Sequence, residues 1–155
     1  MKIIRRTPQH DFSTSQYSSL LQSVLKNRDI ADENALDLSL KGLFPFHTLT
    51  NIASATSIVV EAICAQKEIL IVGDYDVDGA TSIALAIRVL KEFGAANVRY
   101  TVPHRILDGY GLSRSLVQKI IRNAPDLLIT VDNGISNVEG VALAREKGID
   151  VIITD

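Results

Sequence analysis

The chain has 155 residues, of which 46% are hydrophobic and 22% charged, a composition typical of a single soluble globular domain that buries a core. Its 16 Lys and Arg residues against 18 Asp and Glu give a formal net charge of -2, which excludes the overall basic surface of many nucleic-acid-binding proteins. Any contact with nucleic acid must therefore be local or lie outside this chain.

Residues 1–50 are predicted to form an arm with connector helices. Residues 1–20 are polar and Ser-rich and lack the apolar run of a signal peptide; helical spacing begins only around Leu20–Leu25. Residues 36–50, with Gly42 and Pro45, have the composition of turns and connectors. No stretch of the chain approaches the roughly 18 apolar residues of a membrane span, so we expect a cytoplasmic protein without membrane contact.

A helix is predicted from Ile52 to Gln66, at the start of a main domain covering residues 51–155, because its apolar residues recur on one helical face. Cys64 lies in this segment among apolar neighbours. As the only cysteine it cannot form an internal disulfide, so we expect a buried packing residue in a reducing compartment.

Four short apolar runs follow, with the composition typical of β-strands. They comprise residues 69–72, 98–102, 127–131 and 151–154. Segments of helical period separate them, at residues 81–93, 113–122 and 137–147. Strands that are apolar on both faces and alternate with helices predict a parallel sheet covered on two sides. With right-handed crossovers this is a doubly wound α/β domain.

Five aspartates follow the predicted strands, at the edge of a parallel sheet where ligands bind. They are Asp74, Asp76 and Asp78 after the first strand, Asp132 after the third and Asp155 after the fourth. Carboxylates packed together repel one another unless a cation neutralises them. Oxygen ligands favour hard ions, so the pattern predicts a site for Mg²⁺ or Mn²⁺, with Asp132 as the candidate bridge between two ions.

Other interpretations of these aspartates are open. Any one of them alone is equally well explained as a helix cap or a turn residue. The spacing Asp74-x-Asp76-x-Asp78-Gly79 also matches the start of an EF-hand, but Leu85 stands where that loop requires Glu, and a strand instead of a helix precedes it. The glycine-rich motifs of dinucleotide and P-loop sites do not occur. A noncatalytic α/β module of the receiver type is a further alternative.

The loop from Pro103 to Leu112 follows the second strand and is predicted to reach the same edge of the sheet. Arg105 offers a planar fork that suits a phosphate, and Tyr110, between two glycines, can stack on a base or donate its hydroxyl. The alternative is that Arg105 pairs with Asp108 and that Tyr110 is a packed ring in a turn. His104 is expected to be a surface residue.

At these residues the chain resembles the RecJ-type exonucleases of the DHH phosphoesterase family. Residues 74–82, Asp-Tyr-Asp-Val-Asp-Gly-Ala-Thr-Ser, are similar to the first motif of that family, and Thr130–Gly134 is similar to the second. Val151–Asp155 is similar to the segment that leads into the third motif, Asp-His-His, and residues 103–112 are similar to the loop that contacts the 5′ phosphate end of DNA. The resemblance covers about residues 40–155.

The resemblance implies a 5′-to-3′ exonuclease for single-stranded DNA that acts in DNA repair and recombination, with a helicase and a single-strand-binding protein as partners. It implies two Mn²⁺ or Mg²⁺ ions. The implied roles are Asp74, Asp76 and Asp78 around the first ion, Asp132 bridging both, Asp155 supporting the second, Asp76 and Asp132 in catalysis, and Arg105 and Tyr110 on the 5′ phosphate.

Two departures from the family pattern qualify this expectation. Val72 stands where many relatives have a metal-binding His, and the His-His pair of the third motif is not within the 155 residues. We therefore expect a truncated domain with little or no activity by itself. The alternative within the family is a phosphoesterase that acts on small nucleotides.

Overall fold

The computed structural model describes residues 12–14, 16–37 and 39–155. The chain divides into two units, residues 1–48 and 49–155. In the first unit, helix α1, Ser19–Asn27, begins where the Ser18 hydroxyl accepts the Leu21 N–H at 3.4 Å. Three short 3₁₀ segments follow it: Glu33–Leu36, Leu40–Gly42 and Phe46–Thr48. The short predicted helix is thus confirmed, whereas residues 1–11 of the predicted arm lie outside the described residues.

The second unit is built on a four-stranded parallel sheet in the order β2-β1-β3-β4. Its strands are β1, Ile69–Val72; β2, Val98–Thr101; β3, Leu127–Val131; and β4, Asp150–Thr154. Ile69 pairs with Val98 on one side and Leu127 on the other. The central strands β1 and β3 are buried along their whole length, while the outer strands are partly exposed. This difference arises because only the central strands have neighbours on both sides.

Helices cover both faces of the sheet. They are α2, Ile52–Cys64; α3, Val77–Glu92; α4, Arg114–Ile120; and α5, Val138–Glu146. Residues of α2 and α3 share one apolar core with one face of the sheet, and residues of α4 and α5 share a second core with the other face. The predicted doubly wound α/β fold is confirmed.

The order of the strands places a switch point between β1 and β3. The chain leaves β1 through α3 on one face of the sheet and leaves β3 through α5 on the other. At such a point the loops diverge and open a crevice at the carboxyl ends of the strands, where ligands bind in open α/β sheets. The Asp residues after β1 and β3 border this crevice.

Each helix differs from its prediction at one end or both, and α3 and α4 are examples. Helix α3 begins at Val77, earlier than the predicted residue 81, because the Asp76 side chain caps it there. Helix α4 ends at Ile120 and continues as a 3₁₀ turn, Ile121–Asn123. Neither shift changes the path of the chain between the strands.

The prediction that Cys64 is buried is wrong, since its side chain is exposed. Helix α2 packs through Ile58, Val59, Ala62 and Ile63 against the sheet. Each residue of a helix is rotated by about 100° from the one before, which takes Cys64, the last residue of α2, off that face. Apolar neighbours in the sequence therefore did not indicate burial.

Among the described residues, no single helix is long and apolar enough to span a membrane. The adjacent segments Leu40–Thr48 and Ile52–Cys64 meet the length and composition criteria only when they are taken together.

Candidate metal centre

The end of β1 provides the first two carboxylates of the site. Asp76 caps α3 by accepting the Gly79 N–H at 3.0 Å and remains exposed. Asp74 is only 5% exposed, and its Oδ1 atom is buried without a hydrogen-bond partner among the described residues. A buried carboxylate oxygen without a donor is costly unless a cation neutralises it. Asp74 therefore has the environment of a metal ligand more than that of a structural turn residue.

Asp132 provides the third carboxylate, from the loop after β3. Its φ angle of 59° lies in the left-handed region, which Asp tolerates better than most residues. Asp74, Asp76 and Asp132 each offer one carboxylate oxygen that lies within 4.8 Å of those of the other two. Three acidic side chains from two neighbouring strands thus converge at the switch point of the sheet.

Asn133 fixes the backbone beneath this group. Its side chain is fully buried, and its Nδ2 atom donates to the carbonyl oxygens of Val72 at 3.1 Å and Val131 at 2.9 Å. These two bonds tie the end of β1 to the end of β3. The separation between the aspartates that follow the two strands is therefore set by these two buried hydrogen bonds. This role was not predicted from the sequence, although Asn133 lies within the second motif.

The electrostatics of the group favour a bound cation. Burial, together with the neighbouring charges of Asp76 and Asp78, raises the pKa of the Asp132 carboxyl above its ordinary value of 3.8. The charged form of Asp132 is thus disfavoured as long as nothing neutralises the group. An all-oxygen donor set that contains one unpartnered buried oxygen fits a hard divalent ion such as Mg²⁺ or Mn²⁺.

Two of the five predicted aspartates lie outside this group of three. Asp78 is in the first turn of α3, and its charge acts on Asp132 from there. Asp155 follows β4, and its Oδ2 atom accepts the Ile135 N–H at 2.9 Å. Their roles as metal ligands stay predictions. The structure places a fully buried Val72 just before this edge, at the end of β1.

The loop after β2 brings a cation and a second aromatic ring to the same edge. The guanidinium carbon of Arg105 lies 5.2 Å from the centroid of the Tyr75 ring. The Tyr110 hydroxyl donates to the backbone oxygen of Asp132 at 3.2 Å. Burial and the surrounding carboxylates, first those of Asp74 and Asp132, raise the pKa of Tyr110 above 10.0, which keeps its hydroxyl protonated as a donor.

The alternative pairing of Arg105 with Asp108 does not form. Asp108 is 7% exposed; its carboxylate accepts the backbone N–H of His104 at 3.0 Å and the ammonium group of Lys119. The hydrogen bond from Lys119, followed by that from His104, lowers the pKa of Asp108 below 3.8. His104 itself is exposed, as expected of a surface residue. Arg105 is left available to an external anion.

Helix α5 holds the other end of this loop. Asn137 precedes the helix but does not cap it; its Oδ1 atom instead accepts the Leu112 N–H at 3.1 Å. The Leu112 carbonyl oxygen lies so close to Gly140 that a Cβ there would stand 1.9 Å from it, and the Leu112 side chain is fully buried. The loop that carries Arg105 and Tyr110 is therefore anchored to α4 at Asp108 and to α5 at Leu112. In the sequence this anchor is visible only as an Asn at the start of a predicted helix, where a helix cap is the ordinary interpretation.

Replacing Lys119 by Met is expected to destabilise the protein by about 1 to 2 kcal/mol at neutral pH, because the buried Asp108 carboxylate loses its strongest donor. The pKa of Asp108 is lowered in the folded state, so its contribution is present above pH 3.8 and is lost as the pH falls through the lowered pKa. The measurement is urea unfolding of both proteins from pH 7 to pH 3.

Lys147→Met is the matched control for this prediction. Lys147 pairs with Glu146 at 3.6 Å, and both side chains are about half exposed or more, so the loss of that pair is expected to have no measurable effect. Equal stability of the Lys119→Met variant and the Lys147→Met variant at pH 7 contradicts the anchoring role of Asp108.

Fold and site together define an α/β domain with a carboxylate group suited to a divalent cation at its switch point. Residues 68–155 match the model of the DHH family, N-terminal domain. The chain belongs to the DHH family, as its motifs predicted.

The similar proteins are exonucleases of the RecJ type. The chain is 43% identical over 136 residues to the single-stranded-DNA-specific exonuclease RecJ of Haemophilus influenzae, with 88% of this chain and 24% of that protein covered. The crystal structure of an exonuclease RecJ bound to manganese has a TM-score of 0.64 and 36% identity, covering 73% of this chain and 29% of that one. RecJ of Thermus thermophilus in complex with Mn²⁺ has a TM-score of 0.60 and 31% identity, over 86% and 18% of the two chains. The chain thus spans about a quarter of the length of the curated relatives it matches.

Proposed function

We propose that this chain forms part of a metal-dependent exonuclease that degrades single-stranded DNA from the 5′ end. The observation that carries the proposal is the buried, unpartnered Oδ1 atom of Asp74 beside the carboxylates of Asp76 and Asp132. Relatives named as single-stranded-DNA-specific exonucleases, and solved relatives that hold manganese, support it. We further propose a cytoplasmic role in DNA repair and recombination, with a helicase and a single-strand-binding protein as partners.

The proposed metal site is made by the group of three carboxylates, Asp74, Asp76 and Asp132, with Asp78 and Asp155 as additional ligands. Two Mn²⁺ or Mg²⁺ ions, when bound, supply an activated water and neutralise the charge on the phosphodiester. Asp76 and Asp132 are proposed to act in catalysis, because one carboxylate oxygen of each lies within 4.8 Å of the other where the loops after β1 and β3 meet.

The proposed DNA contacts lie on the loop after β2. Arg105 presents a planar set of donors that matches two phosphate oxygens, and its side chain is exposed. Tyr110 is 52% exposed, and its ring is oriented by the bond from its hydroxyl to Asp132. A terminal phosphate bound by Arg105 would keep the 5′ end of the strand beside the carboxylates, and cleavage from the 5′ end requires that position.

The decisive experiment compares ligands, because the chain covers about a quarter of its relatives and binding is the more direct property to measure. We expect the chain to bind a 3′-labelled, 5′-phosphorylated oligothymidylate in Mn²⁺ more tightly than its 5′-hydroxyl form, as measured by fluorescence anisotropy. Arg105→Gln should reduce that preference by about tenfold, since one charge-assisted bidentate contact contributes about 1.5 to 3 kcal/mol.

Arg88→Gln serves as the control. Arg88 lies in the second half of α3, whereas the carboxylates lie at the start of that helix, around its N-cap Asp76. Preferential binding of a cyclic dinucleotide over the oligonucleotide would instead identify a phosphoesterase for small nucleotides. If the chain does not bind Mn²⁺ in isothermal titration calorimetry, the proposed metal site is wrong, and the proposed function is wrong with it.

A further inference from the structure

Tyr75 lies between Asp74 and Asp76 in the sequence. Its aromatic ring has no role yet in the proposed metal site or phosphate contact. The ring is partly exposed, at 39%. It has two aromatic or cationic contacts: the Arg105 guanidinium carbon at 5.2 Å from its centroid, and the Tyr110 ring at 6.3 Å between centroids with an angle of 85° between the planes. Tyr75 thus stands between the two residues of the proposed phosphate contact.

Arg105 has no other partner in the described part of the chain. The carboxylate nearest to it in the sequence, Asp108, is occupied by Lys119 and by the His104 N–H. No ion pair forms between Arg105 and the group of three carboxylates among the described residues, and the side chain is exposed. The face of Tyr75 is therefore what orients a guanidinium whose donors all remain available.

A ring in this place has a physical consequence for an arginine. A free Arg side chain loses rotamer entropy when it is fixed on a ligand. A cation–π contact offsets part of that loss in advance and leaves the edge of the guanidinium open to oxygen acceptors. Part of the ordering therefore takes place before the ligand arrives, which raises affinity.

Contact with the ring also prevents a competing interaction. An ion pair between Arg105 and a carboxylate of the group of three would satisfy the donors that a phosphate needs and neutralise the charges that a metal needs, and no such pair forms among the described residues. The edge-on contact with Tyr110 holds the Tyr75 ring in turn, and Tyr110 is fixed by its bond to the Asp132 backbone oxygen. A series of contacts therefore connects Asp132 with Arg105 through the two tyrosine rings, and it neutralises neither the carboxylates nor the guanidinium.

We propose that Tyr75 is a positioning residue that holds the Arg105 guanidinium for the terminal 5′-phosphate of the DNA, a role that rests on the proposed function. Tyr75 touches Arg105 and acts through it. The prediction is that the ring, and not the hydroxyl, determines how strongly the protein prefers a phosphorylated 5′ end.

The experiment measures the ratio of dissociation constants for 5′-hydroxyl and 5′-phosphorylated oligothymidylate in Mn²⁺ for wild type, Tyr75→Phe, Tyr75→Leu, Arg105→Lys and Arg105→Gln. Tyr75→Phe should keep the wild-type ratio within about twofold, because the ring remains. Tyr75→Leu should lower the ratio about fivefold, the size of a cation–π contact of about 1 kcal/mol. Arg105→Lys, which keeps the charge but loses the planar stack, should fall between wild type and Arg105→Gln.

The double variant Tyr75→Leu/Arg105→Gln distinguishes positioning from a second, independent contact. If Tyr75 acts through Arg105, the double variant has the ratio of Arg105→Gln alone; additive losses contradict the proposal. Melting temperatures and Mn²⁺ affinities of all variants are measured alongside. A Tyr75→Leu variant that melts lower but keeps the wild-type ratio has lost a structural ring only, which also overturns the positioning role.

Failure of this inference is distinct from failure of the proposed function. If wild type prefers the 5′-phosphorylated oligonucleotide and Tyr75→Leu retains that preference, the function stands and the role of Tyr75 does not. If wild type shows no preference and Arg105→Gln changes nothing, the phosphate contact itself is wrong, and the role of Tyr75 is overturned with it.

Discussion

Replacing Asp132 by Asn is expected to weaken Mn²⁺ binding by at least about 100-fold, while the metal-free protein becomes more stable at neutral pH. The first effect follows because groups that only orient metal ligands already contribute about 10- to 100-fold to affinity, and Asp132 is proposed to be a ligand itself. The second follows because Asn removes a charge that burial and the carboxylates of Asp76 and Asp78 disfavour. Asn also tolerates the left-handed backbone at this position, so the loop is retained.

The dependence on pH has a definite sign. The pKa of Asp132 is raised in the folded state, so the folded protein holds this proton more tightly than the unfolded chain does. Stability conferred by the protonated carboxyl is complete below pH 3.8 and is lost as the pH rises through the raised pKa. The advantage of Asp132→Asn over wild type is therefore present at neutral pH and disappears in acid, and Mn²⁺ affinity of wild type rises with pH over the same range.

Thermal unfolding with and without Mn²⁺ measures both effects. Mn²⁺ at about 100 times its dissociation constant for wild type should raise the free energy of unfolding of wild type by about 2.7 kcal/mol and that of Asp132→Asn by no more than about 0.4 kcal/mol. Asp150→Asn is the control. Asp150 begins β4 and therefore lies at the amino ends of the strands, away from the carboxylate group, and its replacement removes the same charge. Equal stabilisation by Mn²⁺ in wild type and Asp132→Asn means that this carboxylate is not a ligand.

Replacing Gly79 by Ala is expected to destabilise the protein by about 3 kcal/mol. In most helix positions this substitution stabilises by about 1 kcal/mol, because Ala is the better helix former. Here a Cβ on Gly79 would stand 2.3 Å from the Asp74 carbonyl oxygen and 2.6 Å from its backbone nitrogen. Backbone cannot move aside as a flexible side chain does, so the end of β1 and the start of α3 must separate.

That separation also affects the metal site, since Asp74 and Asp76 lie on either side of this contact and the Gly79 N–H is bonded to Asp76. We expect weaker Mn²⁺ binding even at temperatures where Gly79→Ala is folded, measured by calorimetry beside urea unfolding. Gly148→Ala is the control: Gly148 has a φ of 78° but no atom within 4 Å of an added Cβ, so only a backbone cost of about 1 kcal/mol is expected. If Gly79→Ala is as stable as wild type, the close packing of β1 against α3 is wrong.

The strands and the class of fold were predictable from local patterns. Residues 69–72 and 127–131 are apolar without alternation, and such runs are buried on both faces only in a parallel sheet covered by helices. The caps of the helices were less predictable. Helix α3 begins at Val77 because Asp76 accepts a backbone N–H there, whereas the sequence offered a helix cap only as a general alternative for any one of the five aspartates.

Partners of side chains in loops were not predictable from proximity in the sequence. Asp108 is three residues from Arg105, yet its partner is Lys119 on α4, because the loop turns back at His104 and buries the carboxylate beside that helix. Arg105 contacts Tyr75, thirty positions earlier in the chain, since both follow neighbouring parallel strands. Cys64 was misjudged for a related reason: the face of α2 that packs on the sheet excludes it.

The sequence by itself determined that acidic residues follow three strands of a parallel α/β sheet, because alternating apolar strands and helices bring the carboxyl ends of all strands to one edge. Only the tertiary structure decided which of the five aspartates meet. The strand order β2-β1-β3-β4 makes β1 and β3 neighbours, and the Asn133 amide ties their ends together, so Asp74, Asp76 and Asp132 converge. Asp155, after the outer strand β4, instead accepts a backbone N–H from the β3 loop. Distance along the chain contains no information on this choice, because it depends on which strands exchange hydrogen bonds across the sheet.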